Sequence, residues 1–225
     1  MKKNIGIITI GQSPRTDILP IIHEYIDPKV IYHVGVLDGL SSEKIESLAP
    51  EVDEKQMLTS LLKNGHSVLL SQQKILPLLK KKIIEAEEQG CKFIWLLCTG
   101  SFPELKTEKS FLIEPDQVIS ELLKVFNQGE FKLGVLLPKM EQQIYVAPKY
   151  QGIRAVVYTN LSPYELHTQD KLNATIDFFR KEQCDLIILD CMGYQPKLKK
   201  LLQEATQTKV ILPNQLISSM LASDQ

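Results

Sequence analysis

Two segments of the chain, GCKFIWLLCTG at 90–100 and QCDLIILDCMG at 183–193, carry one pattern: Cys, six residues, Cys, one residue, Gly. The copies lie 93 positions apart, from 98 to 191, and use all four cysteines of the chain. Each apolar centre reads as a strand, preceded by a helical pattern that leads into it through the first Cys. A repeat of this kind restricts the fold to two related halves of about 100 residues, the size of a small domain.

The remaining apolar runs agree. Those at 5–10, 30–37, 93–97, 133–137, 153–158, 186–189 and 210–212 are short and nearly continuous, as expected of strands buried on both faces of a parallel sheet. Helical patterns fall between them at 76–88, 116–127, 172–182, 197–205 and 214–222, with Pro196 suited to a first helical position. Strands alternating with helices predict an α/β fold of two pseudo-symmetric parallel-sheet lobes. One stretch departs from this. The runs at 57–62 and 66–71 flank Lys63-Asn64-Gly65, which predicts a β-hairpin insertion near 57–71. A helix capped by Gly65 is the competing reading.

Composition narrows the function. The 225 residues carry a formal net charge of −1, whereas a nucleic-acid binder needs a basic face; Lys80, Lys81 and Lys82 read as a solvated helix face. No run approaches the ~20 apolar residues of a membrane helix. The start MKKNIGIITIG lacks the long apolar core and cleavage site of a signal peptide and reads as a strand. A cytoplasmic location with reduced cysteines is the expectation.

Seven strand residues span about 23 Å, so Cys91 cannot bridge Cys98. The spacing is not that of a zinc site, and His23, His33, His66 and His167 supply no partner pair for one; no metal is expected. Cys91 and Cys184, before their strands, read as small core residues. Cys98 and Cys191 end their strands, where open α/β sheets place ligands, and the Gly two residues on permits close backbone approach. Backbone N–H groups and a following helix can turn such a thiol into a thiolate; the alternative is a buried Cys at a loop start. A pair of these thiols suits proton removal by one and delivery by the other, and one alone suits nucleophilic attack, with His66 or His167 as candidate activators. The loop Thr9-Ile10-Gly11-Gln12-Ser13-Pro14-Arg15-Thr16 is a second candidate element. Arg15 offers a fork for a carboxylate, Ser13 and Thr16 offer hydroxyls, and the next helix start favours an anion. Equally, Thr16 or Asp17 is a candidate N-cap there.

Taken together, these residues resemble the aspartate/glutamate racemase superfamily and, within it, the AroM family. Cys98-Thr99-Gly100-Ser101 is similar to the first Cys motif and Asp185–Cys191, with Tyr194 and the helix behind it, to the second. Ile113-Glu114-Pro115 and Lys132-Leu133-Gly134-Val135 resemble the lead into the second half, and Gly11–Arg15 resembles the first catalytic loop. The resemblance implies lobes at 1–115 plus 213–225 and at 116–212. It also implies Cys98 and Cys191 as catalytic thiols across a cleft, and a small carboxylate ligand held by Gly11, Gln12, Ser13, Arg15, Thr99, Gly100, Ser101, Met192, Gly193 and Tyr194. No cofactor and a homodimer are expected on the same basis. Superfamily members racemise, isomerise or decarboxylate small acids. This chain departs from the racemases in carrying Gln12 for an acidic residue, Thr99 for Asn, and Met192-Gly193 for Thr-His. A binding protein with inert thiols is the rival expectation.

Overall fold

The computed structural model describes residues 3–54, 56–126 and 130–222. In chain order the elements are β1 Ile5–Thr9, α1 Leu19–His23, β2 Ile31–Gly35, α2 Ser42–Glu46, β3 Met57–Leu61, β4 Ser67–Ser71, α3 Gln72–Glu88, β5 Phe93–Leu97 and β6 Phe111–Ile113. There follow α4 Pro115–Leu123, β7 Lys132–Leu137, α5 Gln143–Val146, β8 Ala155–Asn160, α6 Gln169–Glu182, β9 Leu186–Leu189, α7 Pro196–Thr206, β10 Lys209–Ile211 and α8 Pro213–Met220. They form two compact units, one reaching to Pro115 and resuming at Ser218, the other Asp116–Ile217. The second division falls inside α8, whose Asn214 and Gln215 are bonded to the second unit through Met192, Tyr194 and Lys199. Among the described residues no helix is long and apolar enough to cross a membrane.

Each unit holds a four-stranded sheet, in the orders β2-β1-β5-β6 and β8-β7-β9-β10, and every pair in both is parallel. With strands numbered within each four-stranded sheet, both read 2-1-3-4. The predicted duplication is thus a duplication of topology. All residues of β1 and β9 are buried, because helices cover both faces of a parallel sheet. The hairpin is confirmed: β3 pairs antiparallel with β4. Its burial alternates along β3, as a strand with one wet face should. A three-residue loop closes it between Leu62 N–H and the His66 carbonyl, with Gly65 at φ 83°, the left-handed position that a G1-type turn requires.

Helix boundaries show what periodicity misses. α3 begins four residues before the apolar pattern, because Ser71 Oγ accepts from Lys74 N–H and caps it. Its buried stripe is Ile75, Leu79, Ile83 and Ala86, while Ile84 is 54% exposed. Thr168 likewise caps α6 through Lys171 N–H. Pro196 does open α7. The predicted helix at 116–127 ends as a 3₁₀ turn at Lys124–Phe126, and its last residue lies outside the described ones, as do the last three residues of the chain. β6 is three residues long and was hidden beneath the Ile-Glu-Pro motif.

The first cysteine of each copy now has a reason. A residue with positive φ, Gly90 or Gln183, ends the preceding helix and turns Cys91 or Cys184 into the core. There each sulfur lies beside a glycine of the central strand. A Cβ on Gly6 would stand 3.4 Å from Cys91 Sγ, and one on Gly134 would stand 2.9 Å from Cys184 Sγ. A hydroxyl, Ser110 or Thr208, donates to each cysteine's carbonyl. Burial pushes both thiols up, Cys184 to about 11, which keeps them protonated. Their role is packing.

Candidate functional site

Cys98 and Cys191 leave the C-terminal ends of β5 and β9, the third strands of their sheets. Both backbones make the same sharp turn, Cys98 N–H to the Leu96 carbonyl and Cys191 N–H to the Leu189 carbonyl. Both sulfurs then accept a backbone bond from the residue two on, Gly100 N–H at 3.3 Å and Gly193 N–H at 3.4 Å. A backbone donor aimed at sulfur favours the thiolate over the thiol. The glycines are required by what covers them. A Cβ on Gly100 would lie 2.7 Å from Leu58 Cδ2, and one on Gly193 would lie 2.5 Å from the Tyr164 ring. Both thiols are nearly buried, 9% and 8% exposed. The expected helix start after the second Cys exists only beyond Cys191, at α7; after Cys98 the chain runs through turns to β6.

In the first unit the loop after β1 closes on itself. Ser13 donates through N–H (2.8 Å) and Oγ to the Asp38 carboxylate, which also takes Gly35 N–H at 2.8 Å. A carboxylate therefore does stand against Ser13, supplied by Asp38 rather than by position 12. Gln12 turns to the hairpin, accepting from Lys63 N–H at 2.9 Å. Gly11 lies under β3, where a Cβ would meet Ser60 Oγ at 2.3 Å. The Ser13-Pro14 peptide is cis. Arg15 is 3% exposed, and its fork grips Asp17 at 2.8 and 2.7 Å, with Thr9 Oγ1 at 3.4 Å. This bidentate pairing occupies the geometry a substrate carboxylate would use. Neither Thr16 nor Asp17 caps α1, whose N-cap is Ile18; Asp17 is engaged by Arg15. Thr99 and Gly100 are half-buried and Ser101 is exposed, its carbonyl taking Gln72 Nε2 at 2.6 Å.

In the second unit the residues after Cys191 are held from behind. Asn214 Nδ2 donates to the Met192 and Tyr194 carbonyls, both at 2.9 Å. Met192 is 2% and Tyr194 1% exposed. Tyr194 donates its hydroxyl to the Leu161 carbonyl at 2.9 Å, and burial pushes its pKa well above the usual 10. Both side chains are therefore buried behind the loop.

Asp190, on the opposite side of the strand from Cys191, accepts from Lys149 Nζ (2.9 and 3.0 Å) and from the Tyr150 hydroxyl (2.8 Å). Lys149 also reaches Asp116 at 3.3 Å. Burial opposes charge on Lys149, yet Asp190 and Asp116 outweigh it together and raise its pKa; burial beside Asp190 also pushes Tyr150 well up.

Tyr164 is the residue that sequence reasoning missed. It sits in the loop between β8 and α6 with its hydroxyl 3.5 Å from Cys191 Sγ. Nothing in the local sequence distinguishes it, because the contact spans 27 positions. His167, one of the two candidate activators, is bonded to its own loop: Nε2 meets the Ser162 carbonyl, which can only accept, so Nε2 is the donor. His66 lies exposed at the hairpin turn, its N–H on Asn64 Oδ1. The same β8–α6 loop walls a polar cavity of about 620 Å³ at the C-terminal ends of β7 and β8, lined by Lys139, Thr159, Asn160, Ser162, His167 and Lys171 among others. Among the described residues no group of three His, Cys, Asp or Glu is placed to hold a metal ion.

Residues 5–223 match the family model described as AroM protein. No curated protein sequence matches the chain. Among solved structures, allantoin racemase from Klebsiella pneumoniae is similar at 14% identity and TM-score 0.60, over 97% of this chain and 86% of that one. Maleate isomerase from Pseudomonas putida S16 gives 12% and 0.60, over 96% and 89%. Aspartate racemase from Picrophilus torridus gives 14% and 0.54, over 97% and 92%. At these identities the likeness is one of fold.

Proposed function

The chain belongs to the AroM family, and from the geometry of its two Cys-x-Gly turns we propose that it is a racemase- or isomerase-like enzyme acting on a small carboxylic acid through its thiols. The observation that carries the reading is the repeated cradle. Cys98 and Cys191 receive the same backbone donor, at 3.3 and 3.4 Å, at equivalent ends of equivalent strands, while Cys91 and Cys184 are held as thiols in the core. The similar folds include two racemases and an isomerase.

In the proposed reaction a thiolate takes the proton from the carbon beside the carboxylate. The new bond is S–H, and the C–H electron pair stays on the substrate, delocalised into the carboxyl group. A thiol then returns a proton to that carbon and becomes the thiolate. Proton count is conserved, and the proton transfer itself needs no redox partner. With the Arg15 fork on Asp17, the carboxylate is assigned to the hydroxyls of Thr99 and Ser101. Met192 and Tyr194 act through the position of Gly193.

The test is exchange of the substrate C–H in D₂O, followed by ¹H NMR over a panel of small chiral carboxylic acids, with Cys98→Ala and Cys191→Ala. Loss in both variants assigns acid and base to the pair. Loss in only one assigns single-thiol chemistry. Tight binding of an acid with no exchange in the native protein refutes the enzyme.

A further inference from the structure

We propose that Tyr164 is a catalytic residue paired with Cys191, its hydroxyl serving to hold the Cys191 thiolate. The proposal rests on the reading of Cys191 as a proton-handling thiol. The Tyr164 hydroxyl stands 3.5 Å from Sγ, within the longer range of bonds to sulfur. Which atom donates is decided by chemistry. A thiol is a stronger acid than a phenol, so a Cys191 thiolate is the acceptor and the neutral Tyr164 hydroxyl the donor. The bond is therefore worth more to the thiolate than to the thiol, the condition for supporting a base. Gly193 N–H at 3.4 Å adds a backbone donor to the same sulfur.

The position of Tyr164 is built in. Its N–H donates to Ser162 Oγ at 3.3 Å, and Ser162 is also the anchor of His167, so the loop is tied at both sides of the tyrosine. Its ring lies over Gly193, where a Cβ would come within 2.5 Å; only glycine leaves the ring room. In the first unit the side chain over the equivalent Gly100 is Leu58, an aliphatic group. The two Cys loops thus share a backbone and differ in what covers them. During the reaction Tyr164 keeps its proton; the substrate proton goes to Sγ, and the hydroxyl bond weakens as the thiolate becomes a thiol.

Other titratable groups of the second unit near Cys191 have partners of their own. Asp190 is bonded to Lys149 and Tyr150, with Asp116 on Lys149, and Tyr194 is buried on the Leu161 carbonyl. None of these bonds involves the Tyr164 hydroxyl, so a shift in Tyr164→Phe reports on the Tyr164–Cys191 contact.

The experiment is alkylation by iodoacetamide from pH 6 to 10, with Cys191 followed by peptide mass spectrometry in the native protein, Tyr164→Phe and Tyr164→Ala. The expected result is a midpoint for Cys191 about 0.5–1 unit higher in Tyr164→Phe, read as a three- to tenfold slower reaction at pH 7. Tyr164→Ala gives the same shift with a faster plateau, because the ring no longer shields the sulfur. A superimposable Tyr164→Phe profile, or a plateau change with no shift of midpoint, overturns the proposal. The readout needs no turnover. A shifted midpoint in a protein that exchanges no acid keeps the pairing and refutes the enzymatic reading; an unshifted midpoint in a protein that does exchange refutes the pairing alone.

Discussion

His33 makes the first unit sensitive to acid, and the size of the effect follows from where the ring lies. It projects from β2 into the side of the first unit that holds the Gly11–Arg15 loop. Among the described residues neither ring nitrogen has a hydrogen-bond partner. Burial lowers its pKa to about 4; Asp38 and Asp17 pull it up, Arg15 and His23 push it down further. The unfolded chain binds this proton near 6.5, so acid favours the unfolded state. The stability contributed by a neutral His33 is complete above pH 6.5 and is lost as the pH falls from there toward 4. Between pH 7 and pH 5 the loss comes to about 2 kcal/mol. Urea unfolding of the native protein and of His33→Leu at pH 7, 6 and 5 measures it. The native protein should lose about 2 kcal/mol more than the variant, which keeps the other titrations but not this one. Parallel losses, or a ring titration by NMR near 6.5 in the folded protein, would show the ring to be solvated and the reasoning wrong.

Four further outcomes are expected. Gly134→Ala puts a Cβ 2.8 Å from Phe179 Cε1 and 2.9 Å from Cys184 Sγ, whereas at Gly6 the nearest atom is Ala86 Cβ at 3.1 Å. Both substitutions overpack the core, at a cost of about 1–3 kcal/mol, and urea midpoints should place Gly134→Ala as the worse; the reverse order contradicts the packing. Asn214→Leu removes the donor from the Met192 and Tyr194 carbonyls, so it should cost about 1–3 kcal/mol and speed Cys191 alkylation. Lys149→Met removes the ammonium bonded to buried Asp190 and should cost about 3–5 kcal/mol; adding Asp190→Leu should recover most of it, and a double variant as unstable as the single one would refute this. Gly65→Ala forces a side chain into φ 83° and should cost about 1 kcal/mol with the ligand loops intact.

Much of this architecture is written in local patterns. The continuous apolar runs at 93–97 and 186–189 gave β5 and β9 to the residue, because strands buried on both faces leave no polar interruption to blur their ends. Asn64-Gly65 gave the hairpin, because only a left-handed residue closes that turn. The caps at Ser71 and Thr168 were missed because a cap carries no apolar period, and β6 because three residues cannot establish one. The site was less legible. The two thiols could be picked out by their repeat, and the glycines by their fixed offset. Arg15 could not: its commitment to Asp17 depends on the turn between them, not on residue type. Position after the second Cys says nothing of which way a side chain points, so the burial of Met192 and Tyr194 was not legible either. Tyr164 and Asp38 enter from other strands' loops, and no spacing rule connects them to the residues they serve.

The duplicated sheets also show where the halves diverged, and the divergence bears on function. Position 97, before Cys98, is a buried Leu; its counterpart before Cys191 is Asp190, with Lys149 and Tyr150 bonded to it. The first sheet demonstrates that the fold accepts an apolar residue at this place. A buried ion pair is weak evidence for stability, since replacing both partners by apolar groups is often neutral. Its presence in one half only therefore calls for a reason other than folding. The same half has Tyr164 at the sulfur, while the other has the β3–β4 hairpin laid over Gly11 and Gly100. Each unit has kept the backbone that presents a thiol and replaced the side chains around it. Two identical sites would present two thiols of equal basicity, whereas a proton relay that starts from a defined state works best with one thiolate and one thiol. In the reaction proposed above, the unequal surroundings of Cys98 and Cys191 are the difference such a relay would draw on.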